Sequence, residues 1–303
     1  MKVSNIPFMA MRKVVAALSL LLIVISIVSL STKGLEFGLD FTGGTLVEVA
    51  YEVAPDLDQV RQSLADNGYG DVVVQNFGSS TDVVVRLADV FTPTLGDEVL
   101  LALQQESAGV ELMRSEFVGA QVGEELREQG GLGMLLALAI VMLYVAVRFQ
   151  YKFSVASVAA LAHDVVITLG VFSVLGMEFD LTVLAALLAV VGYSLNDTIV
   201  VCDRIRENFR IMRDIETVDL INESINQTLG RTLITSLTTM FTLLVLFFFG
   251  GEAIHSFAFA LLVGVVIGTY SSVFVAANLL IAQNLTKEDL IPTPKEEFED
   301  EMP

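Results

Sequence analysis

LTVLAALLAVVGYSLNDTIVV, residues 181–201, is long and apolar enough to cross a bilayer, yet it carries Asp197. The next apolar run, Thr232–Phe249, is headed by Arg231. A charge inside a bilayer costs at least about 2.5–3.5 kcal/mol even on the lenient insertion scale, so such residues face a bundle interior and serve a function. The stretch sets both the class of the protein and the first question about it, which is what the buried charges move or hold.

Composition agrees with the class. Hydrophobic residues make up 54% of the chain and the mean hydropathy is +0.68, values that belong to an integral membrane protein. Crossing the hydrocarbon takes roughly 20 residues of helix. Six runs qualify: Val14–Leu30, Leu132–Val147, Phe153–Leu175, Leu181–Val201, Thr232–Phe249 and Ile254–Leu280. Ser29 and Ser31 have the spacing of a signal-peptide cleavage site, but the first apolar core exceeds the usual length, so an uncleaved anchor is expected.

Loop charges give the orientation. Lys2, Arg12 and Lys13 precede the first span, Arg148 and Lys152 separate the second from the third, and Arg204, Arg206, Arg210 and Arg213 follow the fourth. Those segments are expected to be cytoplasmic, along with both termini. The connections Gly176–Asp180 and Gly250–Ala253 carry Glu178, Asp180 and Glu252 and no basic residue, and are expected to face out. Cys202 is placed at the cytoplasmic end of the fourth span. As the single cysteine it forms no internal disulfide. With Lys+Arg 17 against Asp+Glu 36, nucleic acid is excluded as a partner.

Residues 31–130 form an acidic outer domain, with five basic against eighteen acidic residues. Thr45–Val53 alternates, with Val47, Val49 and Tyr51 on one face and Glu48 and Glu52 on the other, as a half-buried strand does. Asp56–Asn67 predicts a helix, Asp71–Phe77 and Asp82–Leu87 a hairpin around Gly78–Thr81, Leu95–Gln105 a helix and Val110–Val118 a strand. The order β-α-β-β-α-β is the split βαβ arrangement of ferredoxin-like domains, and that fold alone implies no function. The fold class is therefore a polytopic α-helical membrane protein of six spans with an α+β outer domain after the first.

Around this frame, Gly43-Gly44 is read as a turn tolerating positive φ between membrane and domain; a phosphate cradle would need a helix N-terminus after it. Gly264 and Gly268, and Gly131 with Gly133, predict close helix contacts. Asp203–Leu229 has Ile205, Phe209, Met212, Ile221, Ile225 and Leu229 at helical intervals, so one or two amphipathic helices are expected along the cytoplasmic surface over 203–229. The acidic tail 284–303 is expected to be disordered. His255 falls at the outer edge of the last span.

Within the spans, Asp197 and Arg231 come at similar depth from the cytoplasmic end. Ser194, Asn196, Thr198, Thr235, Ser236, Thr238 and Thr239 offer groups that order water or pair helices. A guanidinium favours the carboxylate and desolvation the acid, and that balance suits a proton switch. A permanent structural ion pair has the same sequence. His163-Asp164 in the third span is a second candidate relay, or a structural hydrogen-bonding pair; neighbours on a helix point about 100° apart and do not both face one partner. No Ser-His or metal-ligand set argues for an enzyme, and neither a metal nor a cofactor is expected.

Gly38-Leu39-Asp40-Phe41-Thr42-Gly43-Gly44-Thr45, then Val191-Gly192-Tyr193-Ser194-Leu195-Asn196-Asp197-Thr198-Ile199-Val200-Val201 running into Asp203-Arg204-Ile205-Arg206-Glu207-Asn208, and Gly230-Arg231-Thr232-Leu233-Ile234-Thr235-Ser236, resemble the SecD/SecF family of bacterial protein-export membrane subunits. The Asp-Phe-Thr-Gly-Gly form and the small outer domain suit the SecF type better than the larger SecD type. The resemblance covers nearly the whole chain. It implies membership of the resistance-nodulation-division superfamily, a place in the bacterial inner membrane, partnership with SecD beside the SecYEG channel, and use of the proton-motive force to help a translocating polypeptide leave on the outer side. It also implies that Asp197 and Arg231 conduct protons, and that Gly38, Asp40, Phe41, Gly43 and Gly44 are family positions. Half of a small-molecule or lipid exporter of the superfamily and a non-conducting scaffold are the alternatives.

Overall fold

The computed structural model describes residues 6–70, 72–87, 92, 94–105, 107, 109–148, 150–212, 215–251, 254–286 and 289. The expected tail, apart from 284–286 and Asp289, lies outside them, as do Lys2, Arg213 and Glu252 of the charge argument.

After a 3-10 turn at Phe8–Met11, α1 runs over Arg12–Thr32 and leads to β1 (Glu36–Phe37) and the single turn α2 (Leu39–Thr42). The sheet domain follows: β2 (Gly44–Tyr51), α3 (Leu57–Asp66), β3 (Val72–Phe77), β4 (Ser79–Leu87), α4 (Leu95–Gln104) and β5 (Val110–Val118). Its strands run in the order β3-β4-β2-β5 with every pairing antiparallel, the ferredoxin-like topology expected from the element order. The period-2 pattern sends Val47, Val49 and Tyr51 inward, where they meet Val83 and Val85 of β4, Leu64 of α3 and Val99 of α4. Asp56 caps α3 by accepting from the Asp58 N–H. Two details differ from the sequence reading. The hairpin turn tightens to Gly78, at φ +74°, so Ser79–Thr81 belong to β4. The reverse face of the sheet is also partly covered, because Leu39 of α2 packs on Leu46 and Val84.

The bundle consists of α1, α5 (Ala120–Arg148), α6 (Tyr151–Leu175), α7 (Leu181–Ile211), α8 (Thr217–Phe249) and a last span built from α9 (His255–Tyr270), a π-helical turn (Ser271–Val275) and α10 (Ala276–Ala282). Among the described residues six helices are thus long and apolar enough to cross a membrane. The expected boundary at 130 falls inside α5, which starts at Ala120. The expected surface helices over 203–229 do not form as separate elements. Those residues instead complete α7 and begin α8, whose apolar intervals Ile205, Phe209, Leu220, Ile221 and Ile225 enter the main core. The amphipathic period is real, but the face it fills is a helical hairpin inside the bundle. Gly264 and Gly268 are set tightly against Val190 and Ser194 of α7, whereas Gly131 and Gly133 face open space. A tight contact absent from the sequence reading is Gly170 of α6 on Ser26 of α1.

The junction between domain and bundle is built by the Gly38–Gly44 stretch. β1 pairs in parallel with β6 (Glu178–Phe179), in the connection between α6 and α7. The Gly38 N–H donates to the Phe179 carbonyl at 2.9 Å, and the Leu181 N–H at the start of α7 donates to Asp40 Oδ2 at 3.2 Å. Phe41 stacks on Phe179 with centroids 5.9 Å apart. Gly43 has φ +68°, and a Cβ there would stand 2.6 Å from the Ala120 Cα, so the glycine lets the chain pass against the start of α5.

Candidate functional site

Helical spacing puts Ser194, Asp197 and Thr198 on one buried face of α7. The polar centre of the bundle forms where this face meets α6 and the π-helical turn. Asp164, 1% exposed, accepts from His163 Nδ1 at 2.9 Å through Oδ1, and from the Ser194 and Ser271 hydroxyls through Oδ2, the latter at 2.7 Å. His163 and Asp164 do not diverge, as their adjacent positions on the helix suggest, because the imidazole folds back onto its neighbour's carboxylate. His163 also stacks on Tyr270, whose hydroxyl reaches Ser19 of α1 at 2.8 Å. The π-helical turn, a distortion often found at functional sites, begins at Ser271, one of the Asp164 donors. No signal in the sequence marks it.

Asp197 is placed differently. It is 3% exposed, near the middle of the 31-residue α7, and its Oδ2 has no hydrogen-bond partner among the described residues. Thr198 Oγ1 and Thr232 Oγ1, the latter on α8, are buried in the same condition. Arg231 also lies mid-helix rather than at a helix head. The two charged residues are equally far in sequence from residue 214, the middle of the 212–216 connection, so the hairpin sets them at one level. No ion pair joins them among the described residues. Arg231 is exposed, on the outer side of α8, and acts on Asp197 only through space. Asn196 is exposed too. Ser236 pairs with Thr269 at 2.7 Å and with Tyr193 at 3.2 Å, tying α8 to α9 and α7, while Thr235 and Thr238 bond back to their own helix. His255 opens α9 against Phe247, with ring centroids 4.1 Å apart.

Among the described residues no group of His, Cys, Asp and Glu could hold a metal ion. The arrangement can bind and release protons at a desolvated carboxylate, and its cost depends on how α7 and α8 lie.

The chain matches the family model described as protein export membrane protein SecD/SecF, C-terminal, over residues 99–286, and that of the SecD/SecF GG motif over residues 28–54. It is 53% identical to the protein translocase subunit SecF of Pseudomonas aeruginosa, covering 100% of this chain and 99% of the relative. It is 42% identical to that of Escherichia coli O157:H7, covering 89% and 85%. The crystal structure of SecDF from Thermus thermophilus, described as a translocon-associated membrane protein, superposes with a TM-score of 0.87 at 39% identity; the match covers 94% of this chain and 39% of that longer one. With one family model over the junction, another over the bundle and relatives named SecF along the whole chain, the chain belongs to the SecD/SecF family of protein export membrane proteins, on its SecF side.

Proposed function

We propose that this multi-pass inner-membrane export subunit couples the proton-motive force to polypeptide translocation, with Asp197 taking up and releasing the proton and Arg231 tuning it. The observation that carries the reading is Asp197 Oδ2, buried and without a hydrogen-bond partner among the described residues. Asp164 is equally buried but its charge is met by three donors, so the fold holds it. At Asp197 the gain or loss of a proton changes the local energy far more. His163 and Asp164 are available as a relay through Ser194, one helical turn from Asp197.

A second unit is part of the same reading. Only 6% of the most apolar window of α5 and 17% of that of α8 are buried, against 56% for α6. Arg231 and Asn196 lie on uncovered sides of α8 and α7. An arginine left at mid-membrane in lipid costs at least about 2.5–3.5 kcal/mol, and SecD is the partner that would cover this face, with SecYEG as channel and the translocating polypeptide as cargo. For orientation, Arg12, Lys13, Arg148, Lys152, Arg204 and Arg206 gather at the end of the bundle where Ile6 meets Asn226 and Lys152 meets Asp289. By the positive-inside rule that end, with both termini, is cytoplasmic, and the sheet domain is periplasmic.

A potential of 100 mV supplies about 2.3 kcal/mol per charge moved, a bias of about fifty-fold between two bundle conformations. Asp197→Asn is expected to insert and to bind SecD normally while losing the gradient-dependent part of precursor export into vesicles. Arg231→Met is expected to do the same and Arg231→Lys to keep part of it, since charge survives while the planar fork is lost. A gradient response of Asp197→Asn equal to wild type would make this carboxylate structural.

A further inference from the structure

Apart from the chain itself at Gly38–Gly44 and Gly119–Ala120, the sheet domain meets the α6–α7 connection, among the described residues, through one ion pair, that of Arg86 on β4 with Glu178 on β6. Neither side chain is freely solvated, at 18% and 28% exposure. Arg86 Nε has no hydrogen-bond partner among the described residues, so the guanidinium spends only part of its fork on the contact. The Glu178 carboxylate lies over Gly38, where a Cβ would stand 2.7 Å from its Oε1, and it accepts the Leu39 N–H. Glycine at 38 is thus what leaves room for this carboxylate on the motif.

The surroundings are acidic. Glu36 is the strand partner of Glu178, Asp180 is two residues along and caps α7, and Asp40 holds the first N–H of the same helix. From the sheet side come Arg86 and, across a cavity of about 230 Å³, Arg114 with Glu116; Arg114 is held by Glu48 and Glu116, each at 3.2 Å. Burial pushes the Glu178 carboxyl above its ordinary range, Asp180 adds to the shift, and the attraction of Arg86 only partly opposes it. Desolvation therefore outweighs the attraction, as it often does for partly buried pairs, and the ionised contact is easily given up.

We propose that Arg86 is a positioning residue whose ion pair with Glu178 is a releasable clamp, setting the angle of the sheet domain on the bundle and passing movement of α7 to it. The clamp closes on residues that are continuous with the N-terminus of α7, the helix carrying Asp197, so a shift of that helix reaches β4 without an intervening flexible segment. Its role in export rests on the coupling reading above, but its mechanics do not.

The sign of the pH dependence follows. Arg86 favours the charged form of Glu178 and burial opposes it, so protonation removes the attraction that closes the clamp: clamping holds while Glu178 is ionised and is lost as pH falls through a value that burial sets above the ordinary carboxylate range. Spin labels at Ser80→Cys, on the hairpin tip about 20 Å along β4 from Arg86, and at Leu175→Cys, in full-length protein with Cys202→Ala in lipid nanodiscs, read the angle as a distance distribution. One main distance is expected for the otherwise wild-type protein. Arg86→Gln, Arg86→Glu and Glu178→Arg are expected to broaden or shift it, and the double variant Arg86→Glu with Glu178→Arg to restore it. Glu178→Gln is expected to broaden or shift it as well and to lose the pH response. A distribution unchanged by Arg86→Gln, or a double variant as broad as the single ones, overturns the clamp. Because the distances need no gradient, a failure of Asp197→Asn to abolish coupling leaves this result standing, and the converse holds too.

Discussion

Two buried aspartates one helix apart show how burial alone misleads about role. Asp164 is surrounded by His163, Ser194 and Ser271, all aimed at its oxygens, whereas Asp197 Oδ2 has no hydrogen-bond partner among the described residues. Leucine at 164 strands three donors, each costing about 1–3 kcal/mol when buried without a partner. Leucine at 197 removes a carboxylate that makes no hydrogen bond among the described residues and feels Arg231 only through space, a change that is neutral or stabilising at many such sites. Thermal unfolding in detergent is expected to show Asp164→Leu losing several degrees or failing to accumulate, while Asp197→Leu melts at or above the wild-type temperature. A drop at Asp197→Leu as large as at Asp164→Leu would mean that Asp197 is held after all. Both carboxylates were visible in the sequence as charges inside apolar runs, and Arg231 as the charge heading one. Which of them the fold satisfies was not, since Ser271 lies 107 residues from Asp164 and nothing local aims it there.

At the scale of elements, the sheet domain was legible almost strand for strand because alternation is a local property and each strand buries one face. Val49 is fully buried between Val83 of β4 and Leu112 of β5. Val49→Asp is accordingly expected to destabilise a soluble fragment spanning residues 44–118 by about 4 kcal/mol or more, readable as a shift in its urea midpoint; a midpoint within error of wild type would place this strand in another register. The helical hairpin was misread for a physical reason. Charges at Arg204, Arg206 and Glu207 alternate with Ile205 and Phe209 as they would on a membrane-surface helix, and periodicity does not say whether an apolar face rests on lipid or on protein. The β1–β6 ribbon was not legible at all, being two residues paired with two others more than a hundred positions away.

For the whole molecule, orientation is the property that every functional argument uses. Cys202, buried at 1% exposure inside α7 rather than at its end, is a poor reporter of it. Ser80 and Ile215 are exposed at opposite ends of the structure. In intact cells a membrane-impermeant thiol reagent is expected to label Ser80→Cys and to spare Ile215→Cys until the membrane is opened, with Cys202→Ala as background; the reverse pattern would invert the molecule. The contacts of α1 have a further consequence, in time rather than space. Ser29 meets Ser173, but Ser19 meets Tyr270 and the Arg12 carbonyl meets Asn278, so two of the polar contacts of this first helix wait until about 250 further residues have been made. At ribosomal speeds of about 5–20 residues per second that delay is about 10–50 s. Throughout it, a serine meant for a protein contact faces lipid, and the newborn subunit is most open to rescue or disposal by the cell's surveillance of membrane proteins.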